Sequence, residues 1–248
     1  MNRSLPEAEA ALEPDLPSYQ VILAETDWDS LQTAFGSGAD LPGVLARLLE
    51  PDPRVQVSAL SDLGELVGHQ NTIHEATAPV ALYVAGLLTH PAAMTLRPYR
   101  NVPLRATLLN WLASTAYDAS DETVGHTERY FPGFLAPGAI VAAFRDLRPM
   151  LYRAVEPFVR DSHEDVREAA VVAALILAEH PTLAEHRDHL AVHARAILDV
   201  SSDDLNRRVA RKALEAWGHD IPDPEPFREE PWGWGPHSDS RGDLEPPF

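Results

Sequence analysis

The sequence predicts an all-α protein built from helix pairs that stack in a row. Apolar residues recur at every third or fourth position along most of the chain, which is the spacing of one helix face, and no segment has the alternation of a strand. The helical segments are joined by turns that carry proline or acidic residues. The arrangement returns at an irregular period of about 40 residues, which favours four to five stacked helix pairs over a single bundle.

The first predicted helix contains Trp28, Leu31 and Phe35, which would share one helix face. Thr26 precedes this face and Asp29 follows Thr26 by three residues, the spacing of a capping box at a helix N-terminus. We therefore expect a single helix here, covering the first end of the stack.

The next two predicted helices form the first pair. Asp40 stands where an N-cap residue is expected, and Pro42 falls in the first turn, where proline is tolerated. Pro51 and Pro53 end this helix and lead into the second one. The two apolar faces are Val44, Leu45, Leu48 and Leu49 in the first helix, and Val55, Ala59, Leu60 and Leu63 in the second.

The same pairing of helices returns along the chain. Residues 44–63 hold the first copy, and residues 154–175 and 194–217 hold two others. A further copy is divided between residues 78–90 and 102–112, with a proline-bearing insertion between its two helices. In each copy an apolar helix ends in a turn, and a second helix with small or apolar residues on one face follows.

The turns and second helices share a short motif. It consists of Asp165, Val166, Arg167 and Ala170 in one copy, with weaker forms at Leu104, Arg105 and Leu108 and at Asn206, Arg207 and Ala210. This pattern resembles HEAT repeats over about residues 26–218. The resemblance implies a right-handed α–α superhelix of four to five helix pairs. It also implies that a turn aspartate and second-helix arginines join neighbouring repeats, here Asp165, Arg105, Arg167 and Arg207.

The chain divides into three expected parts. Residues 1–18 are acidic and contain prolines, so we expect a flexible N-terminal segment. Residues 19–218 form the HEAT-like repeat domain, and residues 219–248 form a proline-rich tail. Trp232 and Trp234 in the tail are costly to expose to water, so we expect them to pack onto the repeat domain or onto a partner.

Composition excludes several classes of function. The chain has no cysteine, which excludes disulfides, a thiolate nucleophile and thiolate metal sites. Its formal charge of −18 opposes binding to the phosphate backbone of nucleic acids and attracts basic partners. The longest apolar run, residues 169–178, is too short to span a bilayer. We therefore expect a cytoplasmic protein that binds neither nucleic acid nor a membrane.

The segment at residues 68–79, Gly-His-Gln-Asn-Thr-Ile-His-Glu-Ala-Thr-Ala-Pro, is the richest in polar functional groups. Gly68 fits the end of the preceding helix, and Thr72 with Glu75 has the spacing of a capping box for the next one. Pro79 would bend or restart that helix. Thr72, Glu75 and Pro79 are therefore assigned structural roles in a hinge between helices.

The same segment resembles a stretch, approximately HQGT-x-YEAT-x-P, of bacterial HEAT-repeat proteins. Asn71 stands where that stretch has glycine, and His74 stands where it has an aromatic residue. The resemblance implies kinship and implies no reaction.

Charge, the predicted stack and the lack of a recognisable catalytic set favour protein binding. The leading hypothesis is an adaptor or inhibitor, for example an immunity protein that captures a basic toxin domain, and that is monomeric apart from its partner. The irregular insertion expected between Asp118 and Pro137 would lie on the binding face. The expected contact residues are His69, Gln70, Asn71, His74, Tyr83, Arg105, Trp111, Tyr117, Asp118, Asp121 and Glu122.

The alternative is a metal-binding or hydroxylase-like enzyme that uses His69, His74 and Glu75. The pairs His74-Glu75 and His163-Glu164 are similar to those of deoxyhypusine hydroxylases, HEAT-repeat enzymes that hold two irons. Such a site needs about four matched pairs on facing helices, and this chain has two. No catalytic residue, metal ligand or cofactor is therefore assigned.

A second histidine group raises the question of zinc. His186, His189 and His193 would lie along one helical face, and His189 with His193 has the spacing that shares a zinc ion. A zincin also needs a glutamate directly after the first histidine of that pair, where Leu190 stands. The histidines are therefore interpreted as a polar outer face.

Overall fold

A computed structural model describes residues 16–99, 101–133 and 138–221, and this part of the chain is mostly helical. The prediction of an all-α protein is confirmed. The helices are α1 (Tyr19–Glu25), α2 (Leu41–Ala46), α3 (Pro53–Gly68), α4 (Thr77–Leu87), α5 (Ala92–Thr95), α6 (Leu104–Asp118), α7 (Asp121–Tyr130), α8 (Gly138–Asp146), α9 (Arg148–Val155), α10 (Glu164–Leu177), α11 (Arg187–Val200) and α12 (Asp204–Ala216).

The segment that contains Trp28 and Phe35 is not a helix, contrary to prediction. Trp28 begins a short 3₁₀ turn, and its buried indole Nε1 donates to the carbonyl oxygen of Leu23 at 3.0 Å. Two short strands follow, β1 (Gln32–Thr33) and β2 (Gly36–Ser37), which pair antiparallel as a hairpin. Helical spacing of three large residues was misleading, because tertiary contacts hold this segment in another conformation.

The core is organised around α10. Its ten buried residues, from Val166 to Leu177, cover almost every side of the helix, so it must be surrounded by other helices. It packs against α6, α9, α11 and α12. At the other end of the molecule α4 packs between α1 and α6, and α2 packs against α3.

Arginine side chains cap the C-termini of three helices. Arg105 Nε donates to the Leu88 carbonyl after α4 at 2.7 Å, and Arg145 Nε donates to the Ala119 carbonyl after α6 at 2.6 Å. Arg187 Nε donates in the same way to Ala178 after α10 at 3.1 Å. A cation there satisfies an orphan carbonyl and opposes the negative end of the helix dipole. These positive charges are therefore committed to the fold.

The residues expected to join neighbouring repeats behave differently from one another. Arg105 does bridge distant elements, because its guanidinium also lies 4.6 Å from the Phe158 ring centroid and 3.7 Å from an Asp161 carboxylate oxygen. Arg167 instead donates to the Asp161 carbonyl at 2.8 Å, a bond within its own turn.

Asp165 and Arg207 do not join repeats in the described part of the chain. The exposed Asp165 lies 4.0 Å from a ring nitrogen of His163, two residues earlier. The exposed Arg207 side chain makes no hydrogen bond or ion pair with another described residue. Asp161, rather than Asp165, is the turn aspartate that lies near the Arg105 guanidinium.

The insertion expected to be irregular contains α7. Ser120 caps it by accepting a hydrogen bond from the backbone amide of Thr123 at 3.2 Å. The helix has no buried residue, so it leaves no apolar periodicity for the sequence to show. Residues 134–137, including Phe134 and Pro137, lie outside the described residues.

The expected flexible segment and tail fall largely outside the described residues too, since residues 1–15 and 222–248, with Trp232 and Trp234, are among those left undescribed. Every helix that is described is too short or too polar to cross a bilayer.

Candidate functional site

The segment after α3 is a backbone turn in the left-handed region rather than a helix cap. Gln70 has a φ of 53° and Asn71 a φ of 58°. The next helix, α4, begins only at Thr77, so Thr72 and Glu75 do not form the predicted capping box. Asparagine tolerates the left-handed conformation better than most residues, which explains why it stands at the position where the similar HQGT stretch has glycine.

Thr77 holds this turn against the end of α3. Its buried hydroxyl donates to the Val67 carbonyl at 2.8 Å and accepts a hydrogen bond from the His74 amide at 2.9 Å. The turn is therefore tied to α3 through one side chain that serves as both donor and acceptor.

The hairpin docks on the same turn. The Ala34 amide donates to the Leu66 carbonyl at 2.9 Å, and the Ala76 amide donates to the Gln32 carbonyl at 3.1 Å. The Glu75 carboxylate accepts a hydrogen bond from the Gln32 amide at 3.0 Å. Three bonds between segments distant in the chain thus fix the position of the hairpin.

Phe35 projects from the tip of this hairpin. The Thr33 hydroxyl accepts from the Phe35 amide at 3.3 Å and donates to the Gly36 carbonyl at 2.9 Å, and Gly36 supplies the φ of 122° that the turn requires. The Phe35 side chain is 66% exposed and lies edge-on to the His69 ring at a centroid distance of 5.0 Å. The result is a rigidly held aromatic side chain in solvent.

Carboxylates surround the aromatic pair. His69 Nδ1 lies 3.0 Å from a Glu65 carboxylate oxygen. Beside Glu65, α2 and α3 enclose a cleft of about 610 Å³. The acidic residues that line it are Asp40, Asp62 and Glu65. Arg47 also lines it, and that charge is already paired with Asp62 at 2.6 Å. The surface that comprises this cleft, the hairpin and Glu75 is called the acidic face below.

Within the described part of the chain, the excess of acidic over basic residues lies mainly before residue 97. Between residues 16 and 96 there are nine aspartate and glutamate residues and two arginines. Between residues 97 and 221 there are eighteen acidic and fifteen basic residues, so that part is nearly balanced. The acidic character expected to attract a basic partner therefore belongs mainly to the N-terminal part.

His74 is placed as a structural donor. The Thr72 hydroxyl donates its one proton to the His69 carbonyl at 2.7 Å, so His74 Nε2, 2.8 Å away, must donate to the hydroxyl oxygen. Burial lowers the pKa of His74, and the neighbouring His69 lowers it further. A neutral imidazole that presents N–H to the hydroxyl cannot remove a proton from Thr72, so this pair is not an activated nucleophile.

Two of the expected contact residues are unavailable to a partner. Tyr83 is fully buried, with an exposure of 1%, and its hydroxyl donates to the Leu45 carbonyl at 3.2 Å. Arg105 is mostly buried beneath Phe158 and Asp161. Apolar spacing placed Tyr83 on a helix, but the sequence did not show that this face points into the core.

The remaining expected contact residues form a separate group at the end of α6 and the start of α7. Asp121 pairs with Arg145 at 2.7 Å, and Glu122 forms an ion pair with Lys212, whose ammonium lies 5.8 Å from the centroid of the Tyr117 ring. Trp111 and Asp118 also lie on α6, each partly buried. Asp121 and Glu122 thus each have a basic partner, as Asp62 has in Arg47 on the acidic face.

Sequence reasoning missed Phe35, Asp62 and Glu65 as site residues. Phe35 was assigned to a buried helix face. Asp62 and Glu65 carried a usable signal, because two residues that are three positions apart on a helix lie on the same side of it. The spacing could be interpreted as part of a site only once the structure showed the cleft between α2 and α3.

The histidines near the C-terminal part do not share one helical face as predicted. His186 ends a 3₁₀ turn and packs on the Tyr152 ring at a centroid distance of 4.7 Å. His189 and His193 lie on α11 with their rings 5.0 Å apart. Among the residues that the structure describes, no three histidine, aspartate or glutamate side chains are grouped to hold a metal ion.

Comparisons with known proteins add no relative. No protein-family model, curated protein or solved structure matches this chain. Its function is therefore argued from the geometry and charge of the acidic face.

Proposed function

We propose that this chain is a binding protein that holds a basic protein partner on its acidic face. The observation that carries the proposal is the exposed Phe35 ring in contact with His69, which pairs with Glu65 of a cleft also lined by Asp40 and Asp62. Aromatic anchors beside charged groups are typical of residues that contribute most to protein–protein affinity.

Electrostatics supports a basic partner. Nine carboxylates against two arginines over residues 16–96 give this part of the chain a surface with a net negative charge. Such a surface speeds encounter with an oppositely charged protein, and the effect weakens as salt rises. Arg105, Arg145 and Arg187, whose guanidinium groups cap helices, all lie outside this part of the chain.

Preorganisation supports protein binding rather than incidental exposure. The hairpin that carries Phe35 is fixed through Leu66, Glu75 and Ala76, so little conformational entropy is lost when a partner covers it. The left-handed residues Gln70 and Asn71 form the adjoining rim, and strained backbone is found disproportionately at functional sites.

The concrete form of the proposal is an immunity protein or inhibitor in the cytoplasm, built as a HEAT-like superhelix and neutralising a basic toxin domain such as a nuclease. The packing of α6, α10 and α12 side by side is in keeping with such a stack. A toxin domain that must bind nucleic acid carries a basic surface, which the acidic face would cover.

The test is capture of a partner by the full chain and by matched variants. The purified chain is immobilised, exposed to proteins of its native cells, and eluted with rising salt. We expect one basic protein that is released by salt, and its capture falls at least tenfold for Phe35→Ala. Tyr130→Ala is the control, since Tyr130 is 61% exposed on α7, outside the acidic face.

A second measurement uses the captured protein after purification. Glu65→Gln should weaken its binding chiefly by slowing association at low salt, because a charge that steers encounter is lost. Equal affinities for Phe35→Ala, Tyr130→Ala and the unmodified chain, or a captured protein without net positive charge, would refute the proposal.

A further inference from the structure

An apolar groove lies between α6 and α12, with α10 beneath it, and the helices of the acidic face take no part in it. It consists of two adjoining hollows of about 230 and about 70 Å³ that share Tyr117, Ile176 and Val209. Leu205 lines the larger hollow and is 50% exposed. The groove therefore presents apolar surface that gains free energy when another apolar group covers it.

The carboxylates that line the groove already have structural roles. Glu179 pairs with Arg148 at 3.1 Å, and the Asp203 carboxylate caps α12 by accepting a hydrogen bond from the Leu205 amide at 2.8 Å. What the groove offers an occupant is accordingly its apolar lining rather than a charged pocket.

The described chain ends close to this groove. Trp217 lines the smaller hollow, and Gly218, with a φ of 81°, turns the chain at the end of α12. The His219 amide completes this turn by donating to the Leu214 carbonyl at 2.9 Å. Ile221 is the last described residue, and it is partly buried against the core.

The length of the following segment suffices to reach any part of the groove. Trp232 is eleven residues beyond Ile221, a stretch that spans at most about 36 Å. The groove follows α12 from Leu205 to Trp217, a distance of about 18 Å at the helical rise. Trp232 and Trp234 are thus both within reach of the larger hollow.

The charges of the segment and of α12 are opposite. Residues 222–248 hold seven acidic residues and two arginines, and Glu229 and Glu230 come shortly before Trp232. Helix α12, which forms one wall of the groove, has two acidic and four basic residues, the latter being Arg207, Arg208, Arg211 and Lys212.

We propose that the chain's own C-terminal segment, residues 222–248, docks in this groove through Trp232 and Trp234. One indole ring fills the larger hollow, because tryptophan covers more apolar surface than any other side chain of the segment. Glu229 and Glu230 lie toward the basic residues of α12. The groove is separate from the acidic face, so this proposal does not depend on the proposed function.

The test uses introduced cysteines in the full chain, which has none of its own. Gly233→Cys is combined with Ser114→Cys or with Asn110→Cys, two exposed positions of α6 that line the larger hollow. Mild oxidation followed by non-reducing electrophoresis should show a disulfide within one chain. Glu215→Cys is the matched control, because Glu215 is exposed on α12 but does not line the groove.

We expect at least fivefold more disulfide with the α6 positions than with Glu215→Cys. A segment that does not dock would favour Glu215, since it is only 18 residues from Gly233 and closing the shorter loop costs less entropy. Adding Trp232→Ala and Trp234→Ala should reduce the yield to that of the control. The proposal is overturned if the α6 positions give no excess over Glu215, if the alanine substitutions leave the yield unchanged, or if the disulfide joins two chains, because a second copy would then be the occupant.

Discussion

The carboxylate of Glu75 accepts a hydrogen bond at 3.0 Å from the backbone amide of Gln32, 43 residues earlier in the chain. This bond joins the turn before α4 to the hairpin that carries Phe35. The placement of the exposed aromatic side chain therefore depends on a residue that sequence spacing had assigned to a helix cap.

Glu75→Ala should lower the free energy of unfolding by about 1.5 kcal/mol, since a charge-assisted hydrogen bond is lost and the Gln32 amide is left to water. It should also raise the amide exchange rate of Ala34 and Phe35. Urea unfolding and hydrogen exchange measure the two effects. Glu50→Ala, at an exposed carboxylate without a side-chain bond, is the control. Indistinguishable results for the two variants would show that the bond contributes nothing.

Gln70→Gly should raise the free energy of unfolding by about 0.5–1 kcal/mol, because glycine adopts a φ of 53° without the steric cost that glutamine bears. Gln20→Gly, at an exposed position inside α1, should lower it by about 1 kcal/mol. Opposite signs for the same substitution, measured by urea unfolding, would show that backbone conformation decides the effect. A loss of stability at both sites would contradict the assignment of strain to Gln70.

Arg148→Met should lower the free energy of unfolding by about 3 kcal/mol. Arg148 is buried, donates to the Ala116 carbonyl at 3.1 Å and pairs with Glu179 at 3.1 Å, so its removal leaves both without a partner. Glu179→Gln should cost less, because that side chain is 41% exposed and its amide oxygen still accepts from Arg148. Chemical unfolding of both variants provides the measurement, and an equal loss for the two would refute the asymmetry.

Asp118→Asn should stabilise the protein at pH 8 and have little effect at pH 4. Burial raises the pKa of Asp118 from its model-compound value of 3.8 to about 7, so the folded state disfavours the carboxylate. Well below pH 3.8 the group is protonated whether the chain is folded or not, and near pH 4 the penalty is still small. The penalty grows as pH rises from about 4 to 7, where the unfolded chain ionises first. Thermal unfolding of the unmodified chain and of Asp118→Asn across this pH range tests the direction of the effect. Stabilisation by the substitution only at low pH would refute the prediction.

Tyr83→Phe should lower the free energy of unfolding by about 1 kcal/mol through loss of the bond to Leu45, and should leave partner binding unchanged. Urea unfolding and the affinity for the captured partner are the two measurements. Weaker binding without a loss of stability would place Tyr83 at the interface, against its burial.

The helix predictions were correct where the spacing of apolar residues alone determines the structure. Val44, Leu45 and Leu48 are buried on α2 and its 3₁₀ extension as their spacing indicated, and Gly68 is the last residue of α3. The predictions failed at Phe35, which has helical spacing yet lies in a hairpin, and in α7, which has no fully buried residue and contributes only Val124 to the apolar contacts. In both segments the spacing of apolar residues does not determine the conformation of the backbone.

In the candidate site too, some features could be predicted from the sequence and others could not. His69 and Glu65 were within reach of sequence reasoning, because residues four apart on a helical turn can pair, and they lie 3.0 Å apart. The cleft beside them could not be predicted from the sequence, because it depends on how α2 packs against α3.

The sequence by itself determined that the chain is mostly helical and acidic, and it located the helix pairs at residues 44–63 and 194–217; at residues 154–175 it located only the second helix, α10. These properties follow from spacing and composition within short windows. Only the tertiary structure decided that Phe35 faces solvent, that Tyr83 does not, and that the buried Tyr152 hydroxyl has no partner among the described residues. Burial and long-range hydrogen bonds depend on which segments meet after folding, and neighbouring residues in the chain do not carry that information.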